Sequence, residues 1–157
     1  MVTTKKTRRR ALAVPGTPIG RVRHNLYKRA YSRINEAIAQ GFYLEAITLI
    51  ESLIGDRLEH RLTFLKQQDF SFKNLGELIA EARKTEIDHK LKQLVLGPLD
   101  SWRQARNSAV HEMAKIADGD LPTWEERMSS LEIIATGGLT MLRDIDKRCQ
   151  QLRKARD

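Results

Sequence analysis

Arg106, Asn107 and His111 lie close together in the sequence, and their side chains are suited to phosphoryl transfer on RNA. A neutral imidazole titrates near physiological pH and can take a proton from a ribose 2′-OH. A guanidinium can hold a phosphate through two hydrogen bonds and stabilise the charge that develops on the phosphorane. A carboxamide can orient either group, and this chemistry requires no metal or other cofactor. We therefore predict that His111 acts as a general base, Arg106 as the phosphate stabiliser and Asn107 as a positioning group.

The stretch from Pro98 to Ile116 predicts the helix that carries these side chains. Its apolar residues recur at steps of three and four and therefore share one face, which comprises Leu99, Trp102, Ala105, Ala109, Met113 and Ile116. Pro98 suits the first helical position, and Gly97 and Gly119 are expected to flank the helix.

Arg106 falls within that apolar stripe, so it needs an ionic partner or an interface, because an unpaired buried charge is very costly. Asn107 and His111 are four residues apart and share one flank of the helix. Arg106 and His111 lie about 140° apart around an ideal helix. They reach one phosphate only if the arginine side chain curls round, or if two copies of the helix face each other across a two-fold axis.

The hexapeptide from Arg106 to His111, R-N-S-A-V-H, resembles the R-N-x-x-x-H form of the Rx4–6H motif of the HEPN superfamily. More weakly, residues 44–62 resemble the acidic, leucine-rich early helix of that family. The resemblance implies an all-α, HEPN-like single bundle of four to six helices with the motif on a late helix. It also implies a cytoplasmic, metal-independent endoribonuclease of a toxin–antitoxin or antiviral defence system, acting as a homodimer.

Two departures limit what this resemblance implies. A second match to the motif runs from Arg83 to His89, but the residues between them predict a helix junction and no Asn follows Arg83. Some members of the family carry a Tyr two residues after the motif His as a target of antitoxin modification. That position is Met113 here, so this form of regulation is not expected. The alternative for the motif itself is a solvated His111 and a structural ion pair at Arg106.

Composition favours one soluble globular domain of the cytoplasm. The chain has 157 residues, of which 41% are hydrophobic and 31% charged. No apolar run approaches the length of a transmembrane helix. The single cysteine, Cys149, cannot form an internal disulfide and fits a reducing compartment. No His/Cys cluster has the spacing of a zinc site, and no glycine-rich phosphate loop is present.

The positive charge is concentrated at one end of the chain. Residues 1–29 hold nine of the 28 Lys and Arg residues and no Asp or Glu. We predict an irregular basic arm over residues 1–20 and a helical domain over residues 21–157. The arm and the residues that follow it are expected to contact the phosphates of RNA, through Lys5, Lys6, Arg8, Arg9, Arg10, Arg21 and Arg23. An antitoxin or another acidic protein is the alternative partner, and a membrane surface is not expected.

Hydrophobic periodicity predicts the other helices. The first spans residues 21–40 and ends at Gly41, and the second spans residues 42–66. Short helices begin at Asn74 and Asp88, and the last begins after Thr123. The second helix carries four acidic residues, one of which could pair with Arg106 or tune His111: Glu45, Glu51, Asp56 and Glu59.

The last helix carries an apolar seam with a narrow centre. The seam comprises Met128, Leu131, Ala135, Gly138, Leu142, Ile145, Cys149 and Leu152. Because glycine within a helix costs about 1 kcal/mol relative to alanine, Gly138 predicts a close crossing by another helix, for which the motif helix is a candidate. The alternative is a break at Gly137 and Gly138.

Three functions therefore remain open from the sequence. The first is the endoribonuclease. The second is a non-catalytic helical module that binds RNA, DNA or a protein through the basic arm. The third is an interaction protein that uses the seam of residues 128–152.

Overall fold

A computed structural model describes residues 16–70 and 72–156, and all the regular structure in these ranges is helical. The helices are α1 (Pro18–Ala39), α2 (Tyr43–Lys66), α3 (Leu75–Thr85), α4 (His89–Leu94), α5 (Asp100–His111) and α6 (Trp124–Lys154). A π-helical segment, Val95–Leu99, joins α4 to α5 into one continuous helix. The prediction of an all-α bundle is confirmed. Five of the predicted RNA contacts lie outside the described residues: Lys5, Lys6, Arg8, Arg9 and Arg10.

The first two helices form an antiparallel hairpin. Helix α1 begins at Pro18, earlier than predicted, because the hydroxyl of Thr17 accepts a hydrogen bond from the N–H of Gly20 at 3.1 Å and caps the helix. The last residues of the predicted arm are therefore helical. Gly41 has a φ of +80° and turns the chain into α2, as predicted.

Helix α2 is the centre of the bundle and packs against α1, α3 and α6. The largest fully buried side chains come from every one of the longer helices: Ile34, Ile47, Ile50, Ile54, Leu58, Leu62, Leu78, Leu91, Leu99, Leu131, Leu142 and Ile145. Burial of these apolar side chains is the main force that holds the helices together.

The predicted motif helix was wrong at both ends. Gly97 and Pro98 lie inside the continuous helix rather than at its start, and the separate short helix predicted before them is part of the same element. The wider π-helical hydrogen-bond pattern accommodates the proline that would disrupt a regular α-helix. Helix α5 ends at His111, so Ile116 lies beyond it and is 74% exposed.

The crossing of α5 and α6 confirms the prediction made from Gly138. Helix α6 is unbroken, and a Cβ atom added at Gly138 would lie 2.6 Å from Nε1 of Trp102. The same Nε1 donates a hydrogen bond to the carbonyl of Ile134 at 2.9 Å. Only glycine leaves room for the indole. This contact fixes the N-terminal half of α5 against α6, and with it the position of the motif.

Candidate functional site

Arg106 projects from α5 towards α2 and forms an ion pair with Glu51. Its Nη1 also donates a hydrogen bond to Oδ1 of Asn107 at 2.6 Å. The side chain of Arg106 is 17% exposed and that of Glu51 is 31% exposed, so solvent reaches the pair. The buried Nε of Arg106 has no hydrogen-bond partner among the described residues. The guanidinium therefore has an acidic partner, as its place in the apolar stripe requires, and retains a donor that is not satisfied.

Glu51 is the partner among the four acidic residues of α2, because the other three have different contacts. Glu45 pairs with Arg33 at 2.6 Å. Asp56 pairs with Arg23 and accepts a hydrogen bond from Tyr27. Glu59 accepts a hydrogen bond from the N–H of Lys73 at 3.2 Å. The sequence supplied the four candidates, but only the tertiary structure, which brings Arg106 to Glu51, selects one of them.

His111 is the last residue of α5 and is exposed. Within the described ranges, its side chain forms no hydrogen bond or ion pair with another residue. The structure thus joins Arg106 to Asn107 and leaves His111 apart from both. Because α5 is regular from Asp100 to His111, Arg106 and His111 keep the separation of about 140° around the helix axis.

The chain after His111 is held against the start of α6. Nη2 of Arg127 donates to the carbonyl of Lys115 at 2.5 Å, and its Nη1 donates to the carbonyl of Glu112. Three large apolar side chains in and after this segment are exposed, at 74% for Ile116, 83% for Leu121 and 61% for Trp124.

Two of the predicted RNA contacts, Arg21 and Arg23, line one cavity of about 600 Å³ at the start of α1. Arg21 is exposed, and its Nη1 donates to the carbonyl of Gly16 at 3.1 Å. Arg23 is 17% exposed and is paired with Asp56. Burial lowers the pKa of Arg23, but the attraction of Asp56 and their hydrogen bond outweigh it, so the pKa is raised. Arg21 is thus the more available of the two for an external phosphate.

The second match to the motif has its two members on separate helices. Arg83 lies in the last turn of α3, and His89 is the first residue of α4. Asp88, between them, caps α4 by accepting a hydrogen bond from the N–H of Leu91 at 2.8 Å. The predicted helix junction is confirmed, which makes Arg83 and His89 suitable controls for the candidate pair.

The described residues contain no group of three or more His, Cys, Asp or Glu side chains that could hold a metal ion. None of their helices combines the length and the apolar character that crossing a bilayer demands.

Comparisons with protein-family models, with curated proteins and with solved structures find no match to this chain. The interpretation of the site therefore depends on its own residues and geometry. Sequence reasoning missed one feature of that geometry, the cationic lining of the cavity at the start of α1. Arg57 and Arg153 also line it, and they lie too far apart in the chain to form a local motif.

Proposed function

We propose that this protein is a metal-independent endoribonuclease of the HEPN type, with a toxin or host-defence role. Arg106, Asn107 and His111 form its active site. The observation that carries the proposal is the solvent-accessible network of Glu51, Arg106 and Asn107, of which Arg106 and Asn107 lie on the same helix as the exposed imidazole of His111. The resemblance of the motif concerns α5 alone. Glu51, the partner of Arg106, lies on α2, which is the helix that resembles the acidic early helix of the family.

In the proposed reaction, His111 takes the proton of the ribose 2′-OH, and the 2′-oxygen bonds to the adjacent phosphorus. The bond from phosphorus to the 5′-oxygen breaks, and the 5′-oxygen leaves with a proton supplied by the solvent. The products are a 2′,3′-cyclic phosphate and a 5′-hydroxyl. Arg106 stabilises the extra negative charge of the phosphorane, and the carboxamide of Asn107 holds the guanidinium in place.

The carboxylate of Glu51 pairs with the guanidinium of Arg106, which can bind the oxygens of a phosphate in the same way. Because the pair is partly exposed, a phosphodiester can compete for the same donors when it enters. Glu51 therefore holds the guanidinium in a ready orientation while RNA is absent.

A homodimer can bring together Arg106 and His111, which point in different directions from a single α5 helix. Two copies related by a two-fold axis near the end of α5 bring His111 of one copy towards Arg106 of the other. The exposed Ile116, Leu121 and Trp124 follow His111 in the chain and supply apolar area for such an interface. The proposed enzyme is thus active as a dimer of this chain.

The test is cleavage of RNA in the presence of a chelator by purified full-length protein. Arg106→Ala and His111→Ala should each lower the rate by a factor of about 10² or more, which is typical for the loss of a general base or of a charge stabiliser. Arg83→Ala and His89→Ala are the matched controls, because they remove the same residue types from the second motif match. Equal rates for wild type and all four variants would exclude the proposed active site.

One observation favours a second candidate, a non-catalytic RNA-binding module. Glu51 already neutralises Arg106, as it would in a purely structural ion pair. This candidate predicts salt-sensitive RNA binding that survives His111→Ala and falls when residues 1–10 are removed. Binding without cleavage by the wild type would support it over the nuclease.

A further inference from the structure

A cationic cavity lies between the start of α1, the middle of α2 and the end of α6. Its volume is about 600 Å³, and none of its ten lining residues is acidic. Four arginines line it: Arg21, Arg23, Arg57 and Arg153. His24 and Gln150 add further polar groups to the wall. We call this feature the α1–α6 cleft.

Two of the four arginines are already neutralised and two are available. Arg23 pairs with Asp56, and Nε of Arg57 lies 2.5 Å from Oδ1 of Asp146. Within the described residues, the guanidinium of Arg21 contacts only a backbone carbonyl, and the side chain of Arg153 forms no hydrogen bond or ion pair. The cleft therefore presents two uncompensated guanidiniums beside two that are neutralised by ion pairs.

The tyrosine of the cleft, Tyr27, is not free to stack on a base. The guanidinium carbon of Arg57 lies 4.2 Å from the centre of the Tyr27 ring, and that of Arg23 lies 5.6 Å from it. The hydroxyl of Tyr27 donates to Asp56 and lies 3.3 Å from the carbonyl of Leu53. Burial is the main reason that the pKa of Tyr27 is raised, so the phenol stays protonated. Tyr27 therefore does not serve as a base-stacking platform, and charge is the main feature that the cleft offers a ligand.

We propose that the α1–α6 cleft binds the phosphate backbone of single-stranded RNA, with Arg21 and Arg153 as the two direct phosphate contacts. Arginine forks match phosphate oxygens, and recognition through them is independent of base sequence. Gly16 lines the cleft, and the sequence before it carries five Lys and Arg residues. Arg57 and Glu51 lie on different faces of α2, so this site is separate from the proposed active site and does not depend on cleavage.

The experiment measures fluorescence anisotropy of a labelled 2′-O-methyl oligouridine with the full chain. This probe lacks a reactive 2′-OH, so its binding is measured whether or not the protein is a nuclease. Affinity is recorded between about 50 and 200 mM salt for the wild type and for the variant Arg21→Gln/Arg153→Gln. Each phosphate contact on a single strand contributes about 0.7 to the slope of log affinity against log salt. The double variant should therefore have a slope shallower by about 1.4 and bind about 25-fold more weakly at 0.1 M salt.

The matched control is Arg83→Gln/Lys84→Gln, which removes the same charge from two exposed residues of α3. It should bind within about twofold of the wild type with an unchanged slope, and both variants should keep the far-UV spectrum and melting temperature of the wild type. Equal losses in the two double variants would overturn the proposal, because they would show a response to net charge alone. A polyglutamate probe that binds the wild type more tightly than the RNA, and loses affinity in Arg21→Gln/Arg153→Gln, would also overturn it in favour of an acidic protein.

Discussion

The Arg61–Glu86 and Arg106–Glu51 ion pairs of this bundle differ in how completely each is closed. Arg61 of α2 donates from Nε and Nη2 to both carboxylate oxygens of Glu86, at 2.9 and 2.7 Å. The two side chains are 7% and 2% exposed. Arg106 of α5 reaches one oxygen of Glu51 and the side chain of Asn107, and its Nε has no partner among the described residues.

Under the proposed function, the Arg61–Glu86 pair holds the fold and the Arg106–Glu51 pair exchanges its carboxylate for a phosphate. Removing either partner of a closed bidentate pair strongly destabilises the fold, because the remaining charge stays buried. An open pair such as Arg106 and Glu51 can accept a phosphate at little cost, because solvent already reaches it. Burial and geometry, rather than residue type, thus distinguish the structural arginine from the candidate catalytic one.

The largest expected effect is on the closed pair. Arg61→Met should lower the free energy of unfolding by about 3–5 kcal/mol, because it leaves the carboxylate of Glu86 buried without its partner. Urea denaturation followed by circular dichroism measures this. The double variant Arg61→Met/Glu86→Leu should recover most of the loss, since no unpaired charge remains. A single variant within about 1 kcal/mol of the wild type would show that the pair is less closed than its geometry indicates.

The next effect concerns the packing that positions α5. Gly138→Ala should lower the free energy of unfolding by about 2–3 kcal/mol, because its new methyl group meets the indole of Trp102. Gly137→Ala is the matched control, since a Cβ atom there has nothing within 4 Å and alanine favours the helix. Thermal melts should therefore move in opposite directions. Equal melting temperatures for the two variants would contradict the proposed clash between a side chain at position 138 and Trp102.

A third ion pair, intermediate in exposure, gives a pH-dependent effect. Arg148 holds Asp88 at 2.5 Å, and mainly this hydrogen bond lowers the pKa of the carboxyl to about 2. A lowered pKa stabilises the fold above the ordinary value near 4, and the stabilisation is lost as the pH falls towards 2. Asp88→Asn keeps the helix cap but loses the charge, so it should cost about 1–2 kcal/mol at neutral pH.

The measurement for Asp88→Asn is urea denaturation at several pH values. The difference from the wild type should shrink steadily between about pH 5 and pH 3. A difference that is constant over that range would mean that the pKa of Asp88 is not lowered in the folded protein.

The smallest expected effect is on the open pair. Arg106→Ala should change the free energy of unfolding by less than about 1 kcal/mol, because the side chain is partly exposed and its partner can be solvated. The same denaturation assay measures it beside Arg61→Met. A loss of unfolding free energy as large as that of Arg61→Met would show that Arg106 stabilises the fold, and would argue against a catalytic role for it.

Local signals in the sequence predicted much of the fold. Capping boxes at Asn74 and Thr123 predicted the starts of α3 and α6, and both are present. Gly138 predicted a helix crossing that is confirmed at Trp102. These succeed because each depends on a few neighbouring residues or on a steric demand at a single position.

The failures have a different physical origin. Pro98 was interpreted as a helix start, although a π-helical segment lets the helix pass through it. Neither the choice of Glu51 as the partner of Arg106 nor the cationic lining of the α1–α6 cleft could be predicted, because both depend on tertiary packing between distant helices. The catalytic roles of Arg106, Asn107 and His111 stay predictions.

The most direct test of the central claim examines the ends of the RNA fragments produced by wild-type protein in chelator. If His111 removes the 2′-OH proton and Arg106 stabilises the phosphorane, each upstream fragment ends in a 2′,3′-cyclic phosphate and each downstream fragment begins with a 5′-hydroxyl. A substrate with a single 2′-deoxy residue at the cleaved position should resist cleavage there. Fragments that carry 3′-hydroxyl and 5′-phosphate ends, or cleavage at the deoxy position, would contradict the account.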